Sequence, residues 1–144
     1  MTTKLKIAIF DLTDCEGCEL EFFGLKEKIL DLIEDYEIVN WRLIQDREDW
    51  DFDIGLVEGA VTMSSEIDLL KRIREKSRMV VAFGNCAING NIPAMVKKPD
   101  RPRLTEYVYG KDYQPLSTDA LPISNYIKVN ADIPGCPVDP KAIE

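Results

Sequence analysis

The sequence predicts an α/β fold: a mostly parallel open sheet with helices on both faces, followed by an irregular C-terminal region. Two observations carry this. Short apolar, β-branched runs alternate with segments of helical apolar spacing, which implies right-handed strand–helix–strand crossovers. The runs are also apolar at nearly every position rather than at every second one, as in strands covered on both faces. The 144 residues read as a single domain over 1–144.

"KLKIAIFDL", residues 4–12, is the first strand, ended by polar residues. A helix is expected from about Cys18 to Tyr36, with Leu25, Ile29, Leu32, Ile33 and Tyr36 as one apolar stripe. "EIVNWRLI" (37–44) is the second strand, and "QDREDWDFD" is a solvated acidic connection. "DIGLVEGAV" (53–61) is the third strand. Ser65 with Asp68 resembles a capping box and opens a second helix. Its inward face carries Ile67, Leu70 and Ile73, and it ends near Lys76. "RMVVAFGNC" (78–86) is a fourth strand that runs into Cys86. The strand order is expected to be flavodoxin-like.

After "NGNIPAM" the pattern fails. Residues 97–121 have no clear period, and a long irregular segment of this kind is either a surface loop or a docking loop. Its tyrosines, with Arg101 and Arg103, suit an interface. "NYIKVNADI" alternates Ile127, Val129, Ala131 and Ile133 as a half-buried strand. Asp139 as N-cap with Pro140 at the first helical position then starts a helix.

Composition excludes several classes. Net charge is −8, so nucleic acid and anionic membrane are not expected partners, because phosphate binding needs a basic patch. No stretch reaches the roughly 18 apolar residues of a membrane span. The N-terminus lacks the features of a signal peptide, so the chain is read as cytoplasmic, where thiols stay reduced. There is no histidine, which removes imidazole bases, Cys–His catalytic pairs and mixed Cys/His metal sites.

The four cysteines remain. Cys15 and Cys18 follow the first strand, Cys86 the fourth and Cys136 the last. In a parallel sheet the carboxyl ends of the strands share one edge, the edge where open α/β sheets bind ligands. The four thiols are thereby brought to one rim. Thiolates there suit structural zinc or an iron–sulfur cluster. A single Cys-x-x-Cys pair with two lone cysteines departs from the paired knuckles of zinc. Gly17, Gly84 and Gly135 beside the cysteines let the backbone approach a bulky cluster, and Pro137 follows Cys136. These features favour a 4Fe–4S cluster. A redox dithiol at Cys15/Cys18 and inert buried cysteines are the alternatives. Each leaves part of the set unexplained.

"DCEGCE", "VEGAV", "GNCAINGNIPAM" and "IPGCPVD", in this order, resemble the small subunit of nickel–iron hydrogenases over about residues 4–142. The resemblance is to the cytoplasmic, bidirectional branch, linked to NAD(P), coenzyme F420 or a heterodisulfide reductase. "DCEGCE" looks like the F420 or heterodisulfide-linked forms, and the length looks like the NAD-reducing form. The 20 kDa-type subunit of respiratory complex I is related, but its first motif has adjacent cysteines, unlike Cys15-Glu16-Gly17-Cys18. Val138 stands where the family pattern has a second proline.

The resemblance implies that Cys15, Cys18, Cys86 and Cys136 hold one proximal 4Fe–4S cluster beside a nickel–iron site on a large subunit. The chain is then a relay, part of an oxidoreductase but not catalytic alone. It passes electrons during H2 oxidation or proton reduction. No cysteines remain for further clusters, so later carriers are expected on other iron–sulfur or flavin subunits, through which any membrane association would arise. Glu16 and Glu58, near the rim, are either satisfied carboxylates or contributors to proton passage or subunit contact. Phe22 and Phe23 cannot both face the core, so one is expected at the partner interface. A complex I-like subunit that does not use H2 is the alternative function, and a structural zinc domain the remote one.

Overall fold

The structure, a computed structural model, describes residues 4–143. Five strands form one sheet: β1 (Leu5–Asp11), β2 (Tyr36–Trp41), β3 (Ile54–Glu58), β4 (Met79–Phe83) and β5 (Ala131–Ile133). They lie in the order β2-β1-β3-β4-β5, and every neighbouring pair is parallel. This is the expected flavodoxin-like order.

Successive side chains of a strand point to opposite faces, and both faces are packed here. Ala8, Phe10, Val57, Val80 and Ala82 face one core with Leu70 and Ile73 of α3 (Ser64–Lys76). Ile7, Ile9, Leu56, Val81 and Phe83 face the other, with Phe22 and Leu25. The strands are therefore buried on both sides, which is why they read as continuous apolar runs.

Several boundaries differ from the sequence expectations. The first helix is two helices, α1 (Gly17–Gly24) and α2 (Lys28–Asp35). Lys26 between them has φ +55°, a left-handed conformation that interrupts the helix. The apolar stripe continues across the break, so periodicity does not reveal it. Ile33 is 44% exposed and leaves that stripe. α3 is capped by Glu66, not by Ser65 and Asp68: its carboxylate accepts from the N–H groups of Thr62 and Met63 at 2.6 and 2.8 Å. The acidic connection is not wholly solvated. Phe52 is buried there, its ring centroid 5.5 Å from that of Phe10. β4 stops at Phe83, and Cys86 lies in a short helix, α4 (Asn85–Asn89). The last strand shrinks to three residues. The chain ends with a 3-10 turn, Pro140–Ala142, where Asp139 accepts from the Lys141 N–H at 2.9 Å.

The region expected to be irregular contains α5 (Arg101–Tyr109). The rest of residues 97–121 has no regular element beyond a bridge of Leu121 to Val61. None of the residues of α5 is buried, so the helix leaves no apolar stripe in the sequence. Among the described residues no helix is long and apolar enough to cross a membrane.

Candidate metal centre

The register lines up the carboxyl ends of four strands. Asp11 pairs with Glu58, Glu58 with Phe83, and Phe83 with Ile133. From this row spring three loops: Cys15 and Cys18 after β1, Cys86 after β4, and Cys136 after β5. All four cysteines are unpaired. Cys18 is buried, Cys86 half-buried, and Cys15 and Cys136 exposed.

The loops are tied to one another through the backbone. Gly84 donates to the Ile133 carbonyl and Asn85 to the Gly135 carbonyl, both at 2.8 Å. Asn85 Oδ1 accepts in return from the Gly135 N–H at 3.0 Å. The Cys86 and Cys136 loops thus close on each other as a zipper. Gly135 bridges Val138 in a tight turn, and the Cys136–Pro137 peptide is cis. On the β1 side Thr13 and Ala60 exchange hydrogen bonds of 3.2 and 2.9 Å, fixing where the chain leaves the sheet.

Two glycines keep room for sulfur. At Gly84 (φ +83°) a side chain is excluded, because a Cβ would lie 2.3 Å from Cys18 Sγ. The α1 end of the first loop therefore sits directly against the start of the Cys86 loop. A Cβ at Gly17 would lie 3.2 Å from Cys15 Sγ. The Asn91 amide donates to Cys86 Sγ at 3.9 Å.

Glu58 is 1% exposed and caps α1. Its Oε1 accepts from Cys18 N–H at 3.1 Å and its Oε2 from Glu19 N–H at 2.8 Å. A carboxylate at a helix N-terminus meets orphan donors and the positive end of the dipole. Glu16, at φ +58° between the two cysteines, pairs with Arg42 at 3.0 Å. Both glutamates are thus satisfied carboxylates with structural partners.

Sequence reasoning missed three rim residues. Asp14 accepts from the Glu16 N–H at 3.0 Å and shapes the turn. Glu19 is 1% exposed, and its Oε2 accepts from the Trp41 indole at 2.6 Å. Asn85 makes the zipper just described. The only sequence signal was their adjacency to cysteines. Asp14 Oδ2 and Glu19 Oε1 are buried without a hydrogen-bond partner among the described residues. Burial raises the pKa of Asp14 to about 6 and that of Glu19 to about 7, and neighbouring carboxylates push in the same direction. Burial also raises the pKa of Glu58.

The thiols follow the same physics. Burial pushes Cys18 up to about 12, and the Glu58 charge adds to the rise. Burial raises Cys86 too, and Cys136 and Cys15 contribute to it. Such thiols keep their protons near neutral pH, and a metal bound there would have to displace them. Among the described residues no three thiol or carboxylate side chains close on a point as the ligands of a single ion would.

Residues 15–144 match the family described as NADH ubiquinone oxidoreductase, 20 Kd subunit. The chain is 34% identical, over 99% of its length, to a subunit of the F420-non-reducing hydrogenase vhu of Methanocaldococcus jannaschii, and covers 54% of that protein. It is 31% identical to the delta subunit of sulfhydrogenase 2 of Pyrococcus furiosus, over 96% of the chain and 59% of the relative. With the delta subunit of the NAD-reducing hydrogenase HoxS of Cupriavidus necator the identity is 29%, over 97% and 75%. The chain thus spans little more than half the length of the first two relatives. Among solved structures, an NAD+-reducing [NiFe]-hydrogenase in the H2-reduced state superposes with a TM-score of 0.78 at 29% identity, over 94% of this chain and 84% of that one. A Ni-Fe-Se hydrogenase from Desulfomicrobium baculatum, at 18% identity over 96% and 58%, shares the fold with a TM-score of 0.70. The motifs, the sheet order and these likenesses agree: the chain belongs to the family of the 20 Kd subunit of NADH ubiquinone oxidoreductase, alongside small subunits of nickel–iron hydrogenases.

Proposed function

We propose that this chain is the electron-relay subunit of a cytoplasmic nickel–iron hydrogenase complex. One 4Fe–4S cluster is held by Cys15, Cys18, Cys86 and Cys136, next to a large subunit that bears the nickel–iron site. The observation that carries this is the common row, from which three thiol-bearing loops rise, those of Cys86 and Cys136 locked together through Asn85 and Gly135. The residues fit the group. The donors are four free thiols, which are the ligands of iron–sulfur clusters. Gly84 and Gly17 lack the Cβ atoms that would press on Cys18 and Cys15 sulfur. A cubane takes one thiolate at each of four separated corners, whereas zinc gathers its ligands at about 2.3 Å from a single point.

When bound, the cluster supplies one-electron transfer. This chain's residues do the rest. Glu58 fixes the first turn of α1 and hence the Cys18 backbone. Asn91 donates to Cys86 sulfur, and such bonds set a cluster's potential. Phe22 and Phe83 close the sheet side of the rim against water. Exposed Cys15 and Cys136 mark the side open to a redox partner. Further carriers, iron–sulfur or flavin, sit on other subunits.

The test is anaerobic co-production with the nickel–iron subunit of the same source. About four iron and four sulfide per chain, with H2-dependent reduction of a viologen dye, are expected. Zinc without sulfide contradicts the cluster. A second reading is favoured by the matched family: a complex I-like subunit that does not use H2. It predicts the same iron content but a partner that lacks H2-dependent activity.

A further inference from the structure

Away from the thiol rim, one buried polar side chain stands without a partner. Glu19, Asn40, Glu58 and Ser77 are the buried polar residues among those described. Three of them are held. Glu19 accepts from the Trp41 indole, Glu58 from the Cys18 and Glu19 N–H groups, and the Ser77 hydroxyl donates to the Ile73 carbonyl at 2.8 Å. Asn40 is 6% exposed, and its side chain makes no hydrogen bond among the described residues. A side-chain amide carries two donors and an acceptor oxygen. Buried polar groups are nearly always satisfied, because leaving them unmatched costs free energy.

Asn40 lines a pocket of about 390 Å³. Its place follows from the sheet. Asn40 pairs in register with Ala8, and Ala8 and Phe10 face the core under α3. The Asn40 side chain lies on that same face. The pocket sits where β1 ends at Asp11 and β2 at Trp41. That is the carboxyl edge at which open α/β sheets bind ligands. Phe10, Trp50 and Leu69 give it apolar walls. Trp50 is fixed in turn: the Arg72 guanidinium carbon lies 3.5 Å from its ring centroid, and its indole donates to Glu48 at 3.2 Å. No cysteine lines this pocket.

Charge restricts the ligand. Arg42 and Arg47 line the pocket with Asp11, Asp46 and Glu48, two cations to three carboxylates. Both cations are engaged, Arg42 by Asp11 and Glu16 and Arg47 by Glu37 and Asp49. Neither is left for a phosphate. Inside, the open polar group presents a donor and an acceptor side by side. Its complement is an aromatic edge with an amino group beside a ring nitrogen. Adenine has that edge: its amino group donates to the amide oxygen and its N7 accepts from the amide nitrogen. The volume falls within the range of small-molecule sites.

We infer that this pocket binds an adenine ring, held at its edge by Asn40 and packed against Phe10, Trp50 and Leu69. Adenosine and adenine nucleotides both carry the ring, and the test separates them. The two fused rings cover the apolar walls more fully than the single ring of cytosine, which has a similar edge.

Calorimetric titration of the full chain, co-produced anaerobically with its nickel–iron subunit, tests this with adenosine, AMP and inosine. Adenosine should bind saturably with a Kd below about 1 mM. AMP should bind no more tightly, since its phosphate meets no unpaired cation; tighter binding of AMP makes the nucleotide the source, with adenine still the part recognised. Inosine has a carbonyl in place of the amino group and sets an acceptor against the amide oxygen. It should bind the wild-type protein at least about tenfold more weakly than adenosine. Asn40→Leu should weaken adenosine at least about fivefold. Equal affinity of the wild-type protein for inosine and adenosine overturns the inference, whatever the stability of the variant. So does unchanged adenosine binding by a folded Asn40→Leu protein. Absence of saturable adenosine binding, as for an amide met by water alone, also overturns it. The relay reading is tested separately by iron, sulfide and H2-dependent activity, so either can fail without the other.

Discussion

The thiol rim and the α5 flank adjoin at one edge of the sheet but are built in opposite ways. At the rim, Phe22, Glu19, Glu58 and Phe83 are each no more than 2% exposed, and the backbone of every cysteine loop is tied to a neighbouring loop or strand. On the flank a whole helix buries nothing. The rim's packing and hydrogen-bond partners lie within this chain. Removing a rim side chain should therefore damage the isolated chain, whereas removing a flank side chain should leave its stability nearly unchanged.

The largest expected effect is at Phe22, whose ring lies 5.1 Å from that of Trp41 and 5.4 Å from that of Phe83. Phe22→Ala should destabilise the chain by about 3–5 kcal/mol, read from denaturant unfolding. Neighbouring Phe23 is half exposed, as the sequence required of one of the two. Gly84→Ala comes next. It sets a Cβ against Cys18 sulfur at a positive φ and should cost on the order of 3 kcal/mol in strain and overpacking. It should also lower bound iron, measured in the same preparation. Glu58→Gln keeps the shape but weakens two charge-assisted bonds, for a loss of about 1–2 kcal/mol. Tyr107→Ala on the flank should change the stability of the isolated chain by less than about 0.5 kcal/mol. A loss there comparable to that at Phe22 would erase the contrast between the two regions.

The same contrast explains what the sequence could reveal. Strands covered on both faces leave continuous apolar runs, so β1, β3 and β4 were legible to within a few residues. The convergence of Cys15, Cys18, Cys86 and Cys136 on one rim followed from a parallel sheet alone. α5 was invisible because periodicity records burial, and nothing in it is buried. The break at Lys26 was hidden because buried Leu25 continues the apolar stripe. The roles of Glu58 and Asn85 are three-dimensional: one caps a helix 40 residues away, the other joins a loop 50 residues away. No local pattern encodes either.

The central claim is that four thiols on three loops hold a single iron–sulfur cluster. Iron and sulfide content, with the electron paramagnetic resonance spectrum of the reduced protein, tests it most directly when Cys15, Cys18, Cys86 and Cys136 are changed to Ser one at a time. The account predicts that each of the four variants loses or alters the cluster while the wild-type protein retains about four iron per chain. A variant that keeps the wild-type iron, sulfide and spectrum would contradict it.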